Sequence, residues 1–515
     1  CIRDRSPILT AEEGIQPDAP ILHRNLFTST LGEKPTEPSN IATHIELAKG
    51  DVEEGFKQAD VVIEDTYRTA MVHQGYLEPR ATLAKVESNG KVTVWSSTQG
   101  SFGVQKQLSE SLGIPLNLIN VIPVEIGGGF GSKGQGVLEP MAVLLARKAG
   151  RPVKMVMNRA EEFQAGRPAA PSVIHLKIGV TKQGILTAVT SKVIMDGGAF
   201  PGGPVAAATS VGLGHYKFPN LRVDGFDVVT NKPPVGAYRA PGTPQAVFAL
   251  ESHIDRLANA VGMDPLEFRL QNIASEGDRL PTNVPLPVIG FRETLEKVQK
   301  HPAWNTGKLG PNQGRGIATG YWFNIAQTSS ATINLSEDGR AVVMTGSPDI
   351  GGSRASMAIM AAEVIGIDVN LIQPVVGDTE TVGFTDVTEG SRATYATGIA
   401  VVNAAEKIVR KLKERASIMW DCNLEDVEWV DGSAIHKDGK ETPISLPEIT
   451  AEAKKTGGPL NATGSLETKG HGPAFSTQLC DLEVDPETGR VTILRYTTAQ
   501  DAGTAIHPSY VEGQM

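Results

Sequence analysis

Cysteine is nearly absent from this chain: Cys1, Cys422 and Cys480 are the only three in 515 residues, and no two stand close together. Iron–sulfur and structural zinc centres need clustered Cys or Cys/His ligands, so neither is expected here, and a disulfide scaffold is excluded. Free thiols in a reducing compartment are the plain reading, which gives a cytoplasmic expectation. No stretch approaches the ~20 apolar residues of a membrane span. Basic residues are outnumbered, 48 against 58 acidic, and the net charge of -10 argues against a general nucleic-acid or anionic-membrane surface. An initiator Met is missing, and Cys1-Ile2-Arg3-Asp4-Arg5 does not resemble a signal peptide. The expectation is a chain that starts inside a longer gene product and is truncated again after Val511-Glu512-Gly513-Gln514-Met515.

Glycine and proline, by contrast, are abundant: 55 and 33 residues, about one in six, which implies many turns rather than long helical bundles. The densest stretch is Gly127-Gly128-Gly129-Phe130-Gly131-Ser132-Lys133-Gly134, between an apolar run, Asn120 to Ile126, and a helical pattern. Glycine tolerates positive φ and lacks the Cβ that blocks close approach, so such a loop can bring backbone amides onto a ligand. A second loop, Gly236 to Gln245, holds Arg239 between turn residues. Together they suggest one large polar ligand.

Commoner motifs fit poorly. A phosphate-binding Walker loop fails because Ser132 precedes Lys133 where glycine is required, and Gly134 replaces the Ser/Thr that meets magnesium. Gly129-x-Gly131-x-x-Gly134 satisfies GxGxxG, but no acid stands at the ~20-residue spacing expected of a ribose contact. From the residues alone, structural glycines, a nicotinamide nucleotide and another cofactor all remain open.

A chain this long exceeds what one core usually supports. Residues 1–50, rich in Pro, Asp, Glu and Thr, read as a connector; 51–290 and 291–515 read as two domains. Strands are expected over Val61–Arg68, Lys91–Ser96, Gly316–Asn324, Ala331–Leu335 and Val342–Thr345. Helices are expected over Val104–Leu112, Glu139–Ala149, Gln245–Val261, Pro265–Ile273, Ala355–Ile365 and Ala393–Arg415. A weak repeat links the halves: Gly113 and Gly366 are 253 apart, as are Asn117 and Asn370. Two strand–helix–strand lobes with a ligand between them follow from it. The second lobe adds loops Asp349–Ala355, Thr388–Thr394 and Asp501–Pro508. The first two precede helices, where free N–H groups suit an anion or where Ser and Thr simply cap.

The combination GGGFGSKG, GAYRAPGTPQAVFALE, Tyr76-Leu77-Glu78-Pro79-Arg80 and Gly390-Ser391-Arg392-Ala393-Thr394 resembles the molybdenum-binding subunit of the xanthine dehydrogenase and aldehyde oxidase family, over nearly the whole chain. The resemblance implies an α+β fold in which two mixed α/β domains clasp a molybdenum–molybdopterin cofactor, the cytosine dinucleotide form among those open to it. Residues 1 to about 20 resemble the remnant of a preceding small domain. It implies Gly128, Gly129, Phe130, Gly131, Arg239, Gly351, Gly352, Gly390, Ser391 and Gln514 as cofactor-binding, with Phe130 and Arg239 near the molybdenum without being side-chain ligands. The family's usual glutamine is replaced by Gly352. Arg167 matches a substrate-orienting arginine of xanthine enzymes, with a surface charge at a helix end as the alternative.

Departures narrow the substrate. Xanthine enzymes carry a glutamate where Gly134 stands and a phenylalanine where Pro241 stands, so purine recognition is disfavoured. Carbon monoxide dehydrogenases carry a copper-binding cysteine where this chain has Ala240, which excludes copper–molybdenum chemistry. The family's general base is a glutamate beyond the stretch matching Gly513-Gln514, so no catalytic residue is expected here; Glu78 and Glu139 are read as structural. The expected activity is oxidation of an aldehyde or hydroxylation of an N-heteroaromatic substrate with water as oxygen source. Electrons pass to iron–sulfur and FAD partner subunits, because this chain is expected to hold neither Fe–S nor FAD. A complementary C-terminal molybdenum subunit is a further expected partner. A non-catalytic cofactor-binding relative and a nucleotide-dependent dehydrogenase are the alternatives.

Overall fold

A computed structural model describes residues 6–30, 35–306, 309–468 and 472–515. Cys1 and the rest of the N-terminal pentapeptide read above lie outside these.

The repeat is structural. Strand Val92–Ser96 lies parallel to Ile119–Pro123 and antiparallel to Ala81–Val86, which Val153–Val156 flanks. In the second half Ala341–Thr345 lies parallel to Ile372–Val376 and antiparallel to Gln327–Leu335, which Asn461–Thr468 flanks. Strand order and direction are the same in both sheets. Helix Ser101–Leu112 ends at Gly113 and helix Ser353–Ile365 at Gly366, both left-handed at φ 65° and 77°, a conformation that glycine adopts without a Cβ penalty. Each turn leads through a short 3₁₀ segment into the parallel strand. Val92, Val94, Val104, Leu108, Ala142 and Val143 fill the first small core. Ile333, Val343, Ala361, Val401, Ile408 and Leu412 fill its counterpart. The helix expected over Ala393–Arg415 begins as a π-turn, Ala393–Thr397, and continues to Trp420.

The largest core belongs to neither repeat. A five-stranded sheet, in the order Ile41–Lys49, Asn220–Val229, Leu186–Gly198, Ser172–Val180, Val61–Thr69, packs on helices Thr243–Ala260 and Pro265–Asn272. Helix Phe291–Lys300 and the sheet Gln313–Trp322, Ala474–Val484, Val491–Gln500 complete the core. Phe475 stacks on Phe291 and on Tyr321, at 4.5 and 4.8 Å between ring centroids. This core therefore takes residues from both sides of position 290. The connector reading of 1–50 needs correction at its end: Ile41–Lys49 pairs along its length with Asn220–Val229 as an edge strand of the main sheet. Only Ala42 in it is buried, so no apolar alternation marks it.

A buried polar cluster crosses the same boundary. Glu251 accepts from the Arg269 guanidinium at 2.8 Å, from Tyr216 at 2.7 Å and from the Thr319 amide at 2.8 Å. Burial alone would raise the Glu251 carboxyl, but Arg269, with His215 and Tyr216, overrides it and brings it down to about 2.

Candidate functional site

The glycine loop leaves strand Ile119–Pro123 and is fixed at both shoulders. Glu78 accepts from the Gly127 amide at 2.8 Å and from the buried Lys133 ammonium at 2.7 Å. Gln99 Oε1 accepts from the amides of Gly131, 3.0 Å, and Lys133, 3.3 Å. Between them Gly128, Phe130 and Gly131 have φ of 91°, 52° and 104°. Positive φ costs a bulky residue of order 1–3 kcal/mol and persists where the surroundings enforce it. Phe130 stands at the tip, 42% exposed.

The glycines are explained largely by protein contacts. A Cβ on Gly129 would meet Gln99 Oε1 at 2.5 Å, and one on Gly131 would meet Ala237 Cβ at 2.7 Å. The two glycine-rich loops thus pack directly on each other, and the Arg239 amide donates to the Phe130 carbonyl at 2.9 Å. Gln74 Nε2 ties the second loop down at Arg167 O and Ala237 O, both 2.8 Å. Arg167 directly follows the cap of helix Arg159–Ala165, as the helix-end alternative has it, and is half-buried; it donates to Gln135 Oε1, and burial, followed by the nearby Arg80, lowers its pKa. Pro241 follows Ala240, at φ 62°, in the same loop, and Gly134 has only Val387 near its missing Cβ, at 3.7 Å.

The second half closes over this surface. The Thr388 amide donates to the Gln99 carbonyl and Gln99 Nε2 donates back to Thr388 O, both at 2.8 Å. Gly390 and Ser391 follow with φ of 55° and 59°, and a Cβ on Gly390 would fall 2.2 Å from Ile325. The fully buried Arg392 holds the loop by donating to the carbonyls of Ala326, Asp386 and Thr328 at 2.7–2.9 Å. Arg239 donates to Gln514 Oε1 at 3.1 Å, and Gly352 lies under the Tyr510 ring of the same terminal helix, Pro508–Gln514. Loops from both halves, carrying Phe130, Arg239, Gln514, Gly352 and Gly390, are therefore tied together by direct contacts.

At one helix start the capping alternative holds, with an aspartate in place of Ser or Thr. The amides at the start of helix Ser353–Ile365 are not free for an anion: Asp349 Oδ1 accepts from Gly351, Gly352 and Ser353 at 2.7–3.0 Å. Burial would raise the Asp349 carboxyl, but these amides and Arg354 hold it below the usual carboxylate range. The signal in the sequence is an acid just ahead of a helix start, a residue type that caps amides. Gln99, Arg80 and Arg392 carry no comparable signal as anchors. Each acts on loops far along the chain, where the residue type gives no pointer to the partner.

Part of this surface is open to a ligand. Gly351, at φ 139°, has no atom within 4 Å of its missing Cβ. Buried polar atoms without partners lie on the elements around the loops: Ser101 Oγ, Gln74 Oε1, Thr243 Oγ1 and His507 Nδ1. Unsatisfied buried groups in such number call for a partner.

Comparison with known proteins gives that partner a name. A molybdopterin cofactor-binding domain model matches residues 33–273, and a second molybdopterin cofactor-binding domain model matches 292–515. The chain is 30% identical to the xanthine dehydrogenase molybdenum-binding subunit of Escherichia coli over 534 residues, covering 99% of this chain and 69% of that protein. It is 30% identical to the nicotine 6-hydroxylase large subunit of Paenarthrobacter nicotinovorans over 525 residues, covering 93% of this chain and 64% of that one. Among solved structures, the Cu,Mo-CO dehydrogenase in its carbon monoxide reduced state superposes with a TM-score of 0.88 at 25% identity, over 99% of this chain and 70% of that chain.

Proposed function

The chain belongs to the molybdopterin cofactor-binding subunits of the xanthine dehydrogenase and aldehyde oxidase family, an oxidoreductase family, and from that premise we propose that it hydroxylates an N-heteroaromatic ring. Its relatives by sequence carry names of that substrate class, while Gly134 and Pro241 stand where xanthine enzymes carry a purine-recognising glutamate and phenylalanine. Aldehyde oxidation is the second outcome that the experiment below distinguishes.

The observation that carries the reading is the linked set Phe130–Arg239–Gln514, reached from both halves. The cofactor supplies redox chemistry at a carbon centre with water as oxygen source. Residues Gly128, Gly129, Phe130 and Gly131 would offer backbone at the molybdenum end, with Arg239 beside them, and Gly351, Gly352, Gly390, Ser391 and Gln514 would hold the pterin side. Arg167, restrained by Gln135, would orient an acceptor atom of the substrate, such as a ring nitrogen or a carboxylate. Glu78 and Glu139 are committed to structure: Glu78 as described, Glu139 as acceptor for Ser96 Oγ and, at 2.7 Å, for the Val137 amide. Electrons leave to iron–sulfur and FAD subunits, and the cytosine dinucleotide is among the cofactor forms that the nucleotide analysis below distinguishes. Metal and nucleotide analysis of the purified complex, with nicotinate- and benzaldehyde-dependent dye reduction, tests this. Molybdenum with nicotinate turnover supports it, aldehyde turnover alone moves the substrate class, and absence of molybdenum rejects it.

A further inference from the structure

Beneath the glycine loop lies a buried charged cluster that the functions above leave unused. Arg80, Glu162, Tyr76 and Ser132 are each at most 4% exposed. Arg80 donates through Nη2 to Ser132 O at 2.6 Å and Ser132 Oγ at 2.7 Å, and through Nη1 to Tyr76 OH at 2.6 Å and to Glu162. Glu162, at the first turn of helix Arg159–Ala165, also accepts from Tyr76 OH and, at 2.7 Å, from the Arg80 amide. The arginine is thus gripped from one side by a carboxylate and a phenol and grips the loop with the other. Planar, forked guanidinium geometry makes this a directional clamp, not a diffuse attraction.

Burial and the Glu162 carboxylate push the Tyr76 phenol up to about 12, so it stays a neutral donor. Lys133, next along the loop, sits 4.8 Å over the Tyr76 ring and reaches back to Glu78. The anchors of the loop's C-terminal shoulder therefore come from segment 76–80, from Glu162 and from residues 98–99.

We propose that Arg80, held by Glu162 and Tyr76, is a positioning residue that sets where Phe130, the tip of the glycine loop, stands. The charge pair is costly to bury, and removing one partner leaves the other uncompensated. Ser132 is two residues from Phe130, and Arg239 is bonded to the Phe130 carbonyl, so movement at Ser132 passes to both loops. What the tip holds rests on the cofactor reading; that Arg80 fixes it does not.

Two variants test it. Glu162→Gln keeps shape and removes the charge; Tyr76→Phe removes only the hydroxyl, and decides the matter if the first variant fails to fold. Hydrogen exchange by mass spectrometry on the purified chain compares peptides covering 126–138 with peptides from helix Thr243–Ala260. The expected result is exchange at least about tenfold faster in 126–138, with the control helix unchanged. Equal exchange in a folded variant, or acceleration shared by the control helix, overturns the proposal. In the molybdenum-loaded complex, kcat should fall about tenfold with KM within about twofold, the pattern of a misplaced reacting centre; unchanged kcat overturns it too. If the unaltered protein carries no molybdenum, the cofactor reading fails, and the exchange measurement still decides this one.

Discussion

Glu251 shows how much one side chain can carry. It joins helix Thr243–Ala260 to Arg269 and to strand Gln313–Trp322 with no solvent to compensate a lost partner. Glu251→Gln leaves Arg269 with Asp255, at 2.7 Å, as its remaining carboxylate partner and should cost about 1.5–3 kcal/mol, the range of hydrogen bonds to a charged group, read by urea unfolding at pH 7. The carboxyl lies near 2 when folded, below its ordinary value of 4.5. Its contribution is thus present above about pH 4.5 and is lost as pH falls towards 2, because the unfolded chain binds the proton first. The variant should lack this part of the acid sensitivity. Gly131 makes a second residue-scale prediction. With φ 104° and a Cβ site 2.7–2.8 Å from Ala237 Cβ and O, Gly131→Ala should spread the two loops and reduce bound molybdenum several-fold, by metal analysis. Gly134→Ala, with nothing closer than 3.7 Å, should keep it.

At the level of elements, strand Val491–Gln500 is unusual. It is an edge strand with Val491 at 56%, Ile493 at 62% and Tyr496 at 54% exposure, and a bulge at Leu494, itself exposed, interrupts its pairing with Ala474–Val484. Open backbone with large apolar side chains invites pairing. The isolated chain should self-associate at micromolar concentration, and Ile493→Lys should reduce this in sedimentation velocity; a monodisperse unaltered chain would contradict it. The strand itself is not among the sequence expectations. Elements with one buried face are legible: Glu139–Ala149 forms over the residues its periodicity gives, and Val61–Thr69 extends the expected strand by one residue. Ile41–Lys49 escapes sequence reading because an edge strand with one buried residue carries no alternation. The start of helix Ser353–Ile365 shows the same limit. Its glycines suggest free amides, yet Asp349 occupies them, and Asp349→Ala should cost the helix about 0.5–2 kcal/mol by thermal unfolding.

Across the whole molecule, the first family match ends at 273 and the second begins at 292, but the main core does not divide there. Ile317, Tyr321, Phe475 and Leu479 from the second region complete the core around Leu250, Ile254 and Phe268. Residues 1–290 expressed alone should therefore show no cooperative unfolding transition, whereas the whole chain should; circular dichroism on both is the check. Further bridges run between the two repeats at the site: Gln99 to Thr388, Arg354 to Glu125 at 2.8 Å, and Val121 to Thr379 Oγ1 at 3.0 Å. The surface assigned to the cofactor is thus held on both sides by structure that is already continuous.

By itself the sequence determined the local elements, the 253-residue repeat, the glycine loops and the family resemblance. These depend on short-range regularities: burial periodicity, the left-handed turn that glycine permits, and motif spacing. Only the tertiary structure decided that Gly129 and Gly131 answer to Gln99 and Ala237 while Gly351 faces open space. It also decided that Asp349 fills a helix start and that Arg80 reaches Glu162 and Ser132. The Arg80 pairings span 82 and 52 residues, and a charge's partner at such a distance is set by packing, on which the residue type alone is silent.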